Sequence, residues 1–278
     1  MAALCRLSLV RRFLVNQAST VSAALSLLLL IGNAQGKDSN QCPKATESHF
    51  KEKLGLREDA VRSAICSKFP NNSGKALIAI AYEPIGYPDS TDYTLPIHIF
   101  WYQANTYKVL ASYKDSFPED GPTRIVANSL SFDAMRFNLA RNTQAFSITF
   151  SPNVNISCPE GGSDNFISLY VAKKNSIRPL LKERIEGRRW TYKTGMNQRC
   201  CPSCTESTLL EQQVKISVGN AIHQGFHDLT LQGETNSVTV SHSDYSKKIN
   251  LVKKTTASLR YNGKYYEFGI GNYFYLGW

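Results

Sequence analysis

Ser258-Leu259-Arg260-Tyr261-Asn262-Gly263-Lys264-Tyr265-Tyr266-Glu267-Phe268 decides the fold class of this chain. Asn-Gly is the preferred pair for a type I′ hairpin turn, because both central residues must take a positive φ. A turn centred on Asn262-Gly263 sets Leu259 opposite Tyr266 and Ala257 opposite Phe268. Those residues, with Tyr261, then share one apolar face. Ser258, Arg260, Tyr265 and Glu267 share the other. One apolar and one polar face is the pattern of antiparallel strands that cover a core.

The same texture runs upstream. Ala76–Tyr82 is a short apolar run. Leu95–Tyr102 and Tyr107–Tyr113 flank the turn Gln103-Ala104-Asn105-Thr106, which predicts a hairpin. Ala145–Phe150 alternates apolar with polar. Phe166–Ala172 and Ile177–Ile185 flank Lys173-Lys174-Asn175-Ser176, a second hairpin, and Trp190–Lys193 adds a strand. Val214, Ile216 and Val218 alternate with polar residues, as do Leu229 with Leu231 and Val238 with Val240. Residues 48–68 read differently: Phe50, Leu54, Val61, Ile65 and Phe69 fall roughly on one helical face, ended by Pro70-Asn71-Asn72-Ser73-Gly74. The expectation is a mainly β fold, an antiparallel sandwich or barrel-like module with an N-terminal helix, stabilised by disulfides.

The first 36 residues stand outside that fold. Arg6, Arg11 and Arg12 precede an apolar run, Val21–Ile31, closed by the small residues Gly32, Ala34 and Gly36. This order is that of a secretory signal peptide, with cleavage expected near Gly36. The run is shorter than the roughly 20 apolar residues of a membrane span, and no later stretch suits a transmembrane helix. The expected organisation is a signal peptide at 1–36, a helical segment at 37–75, a β-rich domain at 76–198, and a β-rich segment at 199–278. That last segment is either a second domain or the end of the same one. Localisation is expected to be periplasmic or extracellular.

Of seven cysteines, Cys5 leaves with the signal. Cys42, Cys66, Cys158, Cys200, Cys201 and Cys204 remain, an even set that implies disulfides in an oxidising compartment. Cys42–Cys66 is the expected pair near the N-terminus. Cys158 is expected to join one member of the Cys200-Cys201-Pro202-Ser203-Cys204 cluster. Losing Arg6, Arg11 and Arg12 lowers the net charge from +10 to +7. The remaining basic residues stand singly or in pairs with no aromatic-basic nucleic-acid motif, so no nucleic-acid partner is expected. An envelope protein or an anionic surface suits the charge better.

No catalytic motif emerges. The chain has no GxSxG, SxxK or phosphate-cradling glycine loop. Isolated carboxylates such as Asp133, Glu160, Asp164 and Glu206 form no recognisable acid–base pair, and Gly161-Gly162-Ser163-Asp164 reads as a turn. His223-x-x-x-His227 would align as zinc ligands on a helix, and His242, Asp228 and Asp244 lie nearby. However, Gly225 interrupts the pair and the surroundings read as strand and turn, so no metal or other cofactor is expected. The expected function is that of an exported non-catalytic binding or structural domain. Two alternatives belong to other classes. Cys201-Pro202-Ser203-Cys204 is a CxxC that could serve a thiol-disulfide oxidoreductase, although the βαβ context is missing. Residues 268–278, where Ile270, Phe274, Leu276 and Trp278 alternate with Gly271, Tyr273, Tyr275 and Gly277, could close a small outer-membrane β-barrel.

Overall fold

A computed structural model describes residues 41–68, 74–84, 86, 93–119, 123–141, 143–154, 164–191, 206–241 and 246–268, all within the compact unit that runs from Ser39 onward. The protein is mainly β, with antiparallel sheets and, among the described residues, one α-helix. After helix α1 (Lys44–Lys53) come strands β1 (Val61–Lys68), β2 (Lys75–Tyr82), β3 (Tyr93–Gln103) and β4 (Val109–Glu119), which form a four-stranded sheet in that order. The remaining strands are β5 (Thr123–Arg124), β6 (Leu130–Ala140), β7 (Thr143–Phe150), β8 (Asn153–Val154), β9 (Asp164–Lys173) and β10 (Ser176–Thr191), then β11 (Glu206–His223), β12 (Phe226–Ser241), β13 (Lys247–Tyr261) and β14 (Tyr266–Phe268). Eight of them make the larger sheet, ordered β14-β13-β12-β11-β10-β9-β7-β6. Its outer strands, β6 and β14, do not pair with each other, so no closed barrel forms among the described residues. β10 pairs with β11 across the cysteine cluster, so strands from both sides of residue 199 share one sheet.

The molecule is layered. Leu77, Ala79 and Ala81 of β2 and Leu95, Ile97 and Ile99 of β3 pack on Phe146, Ile148 and Phe150 of β7 and Tyr170 of β9. The alternate residues of β2 and β3, including Ile78, Ile80 and Phe100, pack outward under Phe50 of α1, which is fully buried. The reverse face of β9, through Ile167, Leu169 and Val171, packs on Leu229 and Leu231 of β12 and Leu259, Tyr261 and Tyr266 of the last hairpin. β2, β7 and β9 are therefore buried on both faces. This explains why Ala145–Phe150, which reads as an alternating half-exposed strand, buries Ser147 completely.

The helix expected over 48–68 is shorter than its pattern. It stops at Lys53 in a Schellman cap: Leu56 N–H donates to Lys51 O (3.1 Å), Gly55 N–H donates to Glu52 O (2.9 Å), and Gly55 sits at φ 65°. Val61–Lys68 is a strand, paired antiparallel with β2. The apolar ladder of β2 needs a neighbour on each edge, and β1 supplies one. Cys66 on β1 is bonded to Cys42, with Cα atoms 4.8 Å apart, as expected from the sequence. Cys158, Cys200, Cys201 and Cys204 lie outside the described residues, as does Phe69.

Both upstream hairpins form: Lys173–Ser176 turns between β9 and β10 as expected, whereas β4 starts only at Val109, with Tyr107 at φ 54° still in the turn after Gln103. The final hairpin differs by one step. Leu259 faces Phe268 and Tyr261 faces Tyr266, so the central pair of the turn is Gly263-Lys264. Gly263 takes φ 97°, and Asn262 stands before the turn, its Oδ1 accepting from the N–H groups of Lys264 and Tyr265 at 2.9 Å each. A glycine at the first central position with no positive φ at the second matches the type II′ pattern. Moving a turn by one residue moves the register by two, which leaves every side chain on its expected face. Leu259, Tyr261 and Tyr266 are accordingly buried, and Arg260 and Glu267 are exposed.

Candidate functional site: a cleft beside an open strand edge

β10 carries the feature from which the site is built. Over Ser176–Gly187 its neighbour on one edge is β9, but β11 joins its other edge only from Glu186 to Thr191. Pro179 helps keep the earlier part open, because it has no N–H to give a second neighbour. The ladder to β9 also breaks step between Pro179 and Leu181, and Leu180 is the extra residue of that bulge.

Beside this edge lies a cleft of about 430 Å³. Arg178–Glu183 form its floor, Tyr113 and Asp115 of β4 one wall, and Lys264, Tyr265 and Tyr266 the other. Ser168 of β9 lies beneath it.

Each wall is held in place by hydrogen bonds. Tyr170 donates its hydroxyl to Asp115 Oδ2. Lys182 Nζ donates to Ser116 O (2.8 Å) and lies 3.9 Å from Asp115 Oδ1. On the far side, Arg178 donates to the Tyr261 hydroxyl (2.7 Å) and to Gly263 O (3.3 Å), clamping β10 to the hairpin tip. Tyr266 donates to His227 O (2.6 Å). Behind it, His223 Nδ1 lies 2.7 Å from Oδ1 of Asp228, a carboxylate only 5 % exposed.

Two groups in the cleft are less well served. Ser168 is 1 % exposed, and its Oγ makes no hydrogen bond of ordinary geometry. Glu183 has no ion-pair partner among the described residues, and burial raises its carboxyl above the usual carboxylate range. The phenols of the walls are raised as well. Burial and then the Asp115 charge raise Tyr113 and, much further, Tyr170. Burial and then the Asp228 and Tyr261 groups raise Tyr266. These phenols therefore stay neutral and can donate hydrogen bonds throughout the physiological range. Ser168 Oγ has almost no exposed surface and is not open to a ligand, whereas Glu183 is only partly buried in the lining and can accept hydrogen bonds from one.

The residues singled out from sequence are placed elsewhere. His223 and His227 sit at the β11–β12 turn, where Gln224 (φ 49°) and Gly225 (φ 83°) form the central pair with two positive φ values expected at Asn262-Gly263. His223 is engaged with Asp228. His242 and Asp244 lie outside the described residues, and among the described residues no three His, Cys, Asp or Glu side chains converge as a metal site. Asp133, Asp164 and Glu206 fall on β6, β9 and β11. Glu160, Gly161-Gly162-Ser163 and the CxxC at Cys201–Cys204 lie outside the described residues. Of the closing strand at 268–278, only Phe268 is described. Among the described residues no helix is long and apolar enough to cross a membrane.

Sequence reasoning missed the cleft because its lining comes from separate elements, β4, β9, β10 and the last hairpin, that meet only in the fold. One usable signal was present: a proline inside the apolar run Ile177–Leu181 marks a strand with an open edge. Comparison of the chain with protein-family models, with curated proteins and with solved structures found no match in any of the three.

Proposed function

We propose that this protein is an exported, non-catalytic binding domain that holds its ligand in the cleft along β10. The observation that carries the reading is the partly buried Glu183 carboxyl, with no ion-pair partner among the described residues, in the lining of a cleft shared with Tyr113, Tyr265 and Tyr266. Apolar walls with a few convergent polar groups are the usual composition of a small-molecule or short-peptide site. The matching ligand has a flat or extended apolar body to lie against Tyr113, Tyr265 and Tyr266. It also has hydrogen-bond donors for Glu183 and for the backbone carbonyls of the open strand edge. The signal-like residues 1–36 and the Cys42–Cys66 bond support export.

The test is chemical-shift mapping of the isotope-labelled protein with a set of small aromatic amides and amines. Binders should move the amides of Arg178–Glu183 and Tyr113, and both Tyr265→Ala and Glu183→Gln should weaken them. Binders that shift these amides equally in the wild type and both variants, or that act elsewhere, would refute the assignment. Export has its own check: the N-terminal residue of protein recovered outside the cytoplasm should be Lys37.

A further inference from the structure

The second half of the larger sheet ends in an arm that serves neither the core nor the cleft. Lys247–Lys254, the first half of β13, is exposed along its whole length. β12 pairs with it on one edge. On the other edge the described partner, β14, meets only Leu259–Tyr261. Roughly eight residues of backbone, about 27 Å, are thus left with free N–H and C=O groups among the described residues. The side chains along this edge are unusual for an exposed strand. Ile249 is 64 % exposed, Leu251 53 % and Val252 59 %. Lys247 and Lys248 precede them, and Lys253 and Lys254 follow. Lys254 reaches Glu234 Oε1 at 2.9 Å, and the other three lysines have no acidic partner among the described residues.

A strand edge left open among the described residues is a template for another strand, and the flanking charges select which one. A second copy of this chain is a poor candidate. Antiparallel self-pairing centred between Asn250 and Leu251 places Lys247 opposite Lys254 and Lys248 opposite Lys253, and like charges directly opposed are destabilising. An apolar segment with carboxylates at both ends suffers no such conflict. It meets the lysines with opposite charge and covers Ile249, Leu251 and Val252. We infer that the β13 edge at Lys247–Lys254 is a docking strand for an extended segment of a partner protein, apolar at its centre and acidic at both ends. This surface is separate from the cleft and does not depend on how the cleft is used.

The probe is a nine-residue peptide with two glutamates on each side of a Val-Thr-Val-Thr-Val centre, labelled for fluorescence anisotropy and titrated into the purified protein. Binding should weaken as salt is added, because the contacts are between exposed charges. The combined change Lys247→Glu, Lys248→Glu and Lys253→Glu should lower affinity at least about tenfold, and a lysine-flanked version of the peptide should then bind in its place. Hydrogen exchange should show the peptide slowing amides within 247–256 and leaving those of β2 unchanged. Three results would overturn the inference. The first is peptide binding no tighter than that of its lysine-flanked counterpart. The second is protection of the edge amides already in the free monomer, which would mean that residues 269–278 of the same chain occupy the edge. The third is self-association that Leu251→Lys abolishes, which would make the edge a contact between copies.

Discussion

Tyr170 on β9 donates its hydroxyl hydrogen to Asp115 on β4, a bond that crosses from the larger sheet to the smaller one. Tyr170 is completely buried, and Asp115 also receives Lys182 at the cleft wall. Removing the hydroxyl would leave a partly buried carboxylate with one partner fewer. Tyr170→Phe is expected to destabilise the fold by about 1.5–3 kcal/mol, the range for a hydrogen bond to a charged group. Urea unfolding should show the loss as a lower midpoint with an unchanged slope.

The buried phenols set an alkaline limit. Tyr102, Tyr170 and Tyr266 all ionise above the ordinary phenol value of 10.0, with burial the largest cause for each. Each folded-state value exceeds its unfolded one, so their contribution is fully present below pH 10.0 and is lost as pH rises toward the folded values. Stability should therefore fall steeply above that pH. Phenolate absorbance should rise in step with loss of the fold, and Tyr170→Phe and Tyr266→Phe should flatten the dependence. Gradual ionisation of all the tyrosines in a protein that stays folded would contradict this.

Glu183 acts in the same sense at lower pH. Burial raises its folded-state value above the ordinary 4.5, so the neutral form is favoured in the fold. Its stabilising contribution is present below pH 4.5 and is lost as the carboxyl ionises on the way to neutrality. Glu183→Gln is expected to be at least as stable as the wild type at neutral pH, and to lack that part of the pH profile. Thermal melts of the two proteins across the acid range provide the comparison.

The Cys42–Cys66 bond closes 24 residues of chain and ties the start of α1 to β1. Constraint of the unfolded chain by a loop of this size is worth about 3 kcal/mol. The double change Cys42→Ala and Cys66→Ala should lower stability by that order. Proteolysis should then cut first between residues 41 and 60, while β7 and β9 stay protected.

At the β11–β12 turn, Gly225 holds φ 83° with open space where a Cβ would stand. The cost of Gly225→Ala is therefore conformational and should be about 1–2 kcal/mol. Gln224 also has a positive φ, at 49°. Asparagine tolerates that conformation better than glutamine, so Gln224→Asn should be neutral or mildly stabilising. Equilibrium unfolding of the two variants separates these outcomes.

Much of this fold could be read from the chain because its hairpins are local. Gln103–Thr106, Lys173–Ser176 and the residues around Gly263 each join strands close in sequence, and period-two alternation identifies their faces. β6 escaped for a physical reason. Leu130 and Phe132 point to one core and Phe137 and Leu139 to the other, with the ladder broken between Asp133 and Phe137. No single alternation spans that shift. Val61–Lys68 was misread because Val61 and Ile65 fit a helical spacing as well as a strand, and only the cap at Gly55 separates the two. The cleft was illegible as a site because Asp115, Ser168, Glu183 and Tyr265 lie on separate elements. Their meeting depends on where β11 leaves β10, which local pattern does not encode.

The layering divides the chain into two kinds of sequence. Along β2, β7 and β9 successive side chains enter opposite cores, so hardly any position faces water. Along the first half of β13 every position does. Random substitution should therefore be rejected at nearly every residue of the buried strands, without the every-other-residue tolerance of ordinary half-exposed ones. At Lys247–Lys254, packing accepts almost anything. Whatever restricts residue choice there must come from contacts beyond those of the described residues, so a library of variants scored separately for folding and for partner binding would part the two pressures position by position.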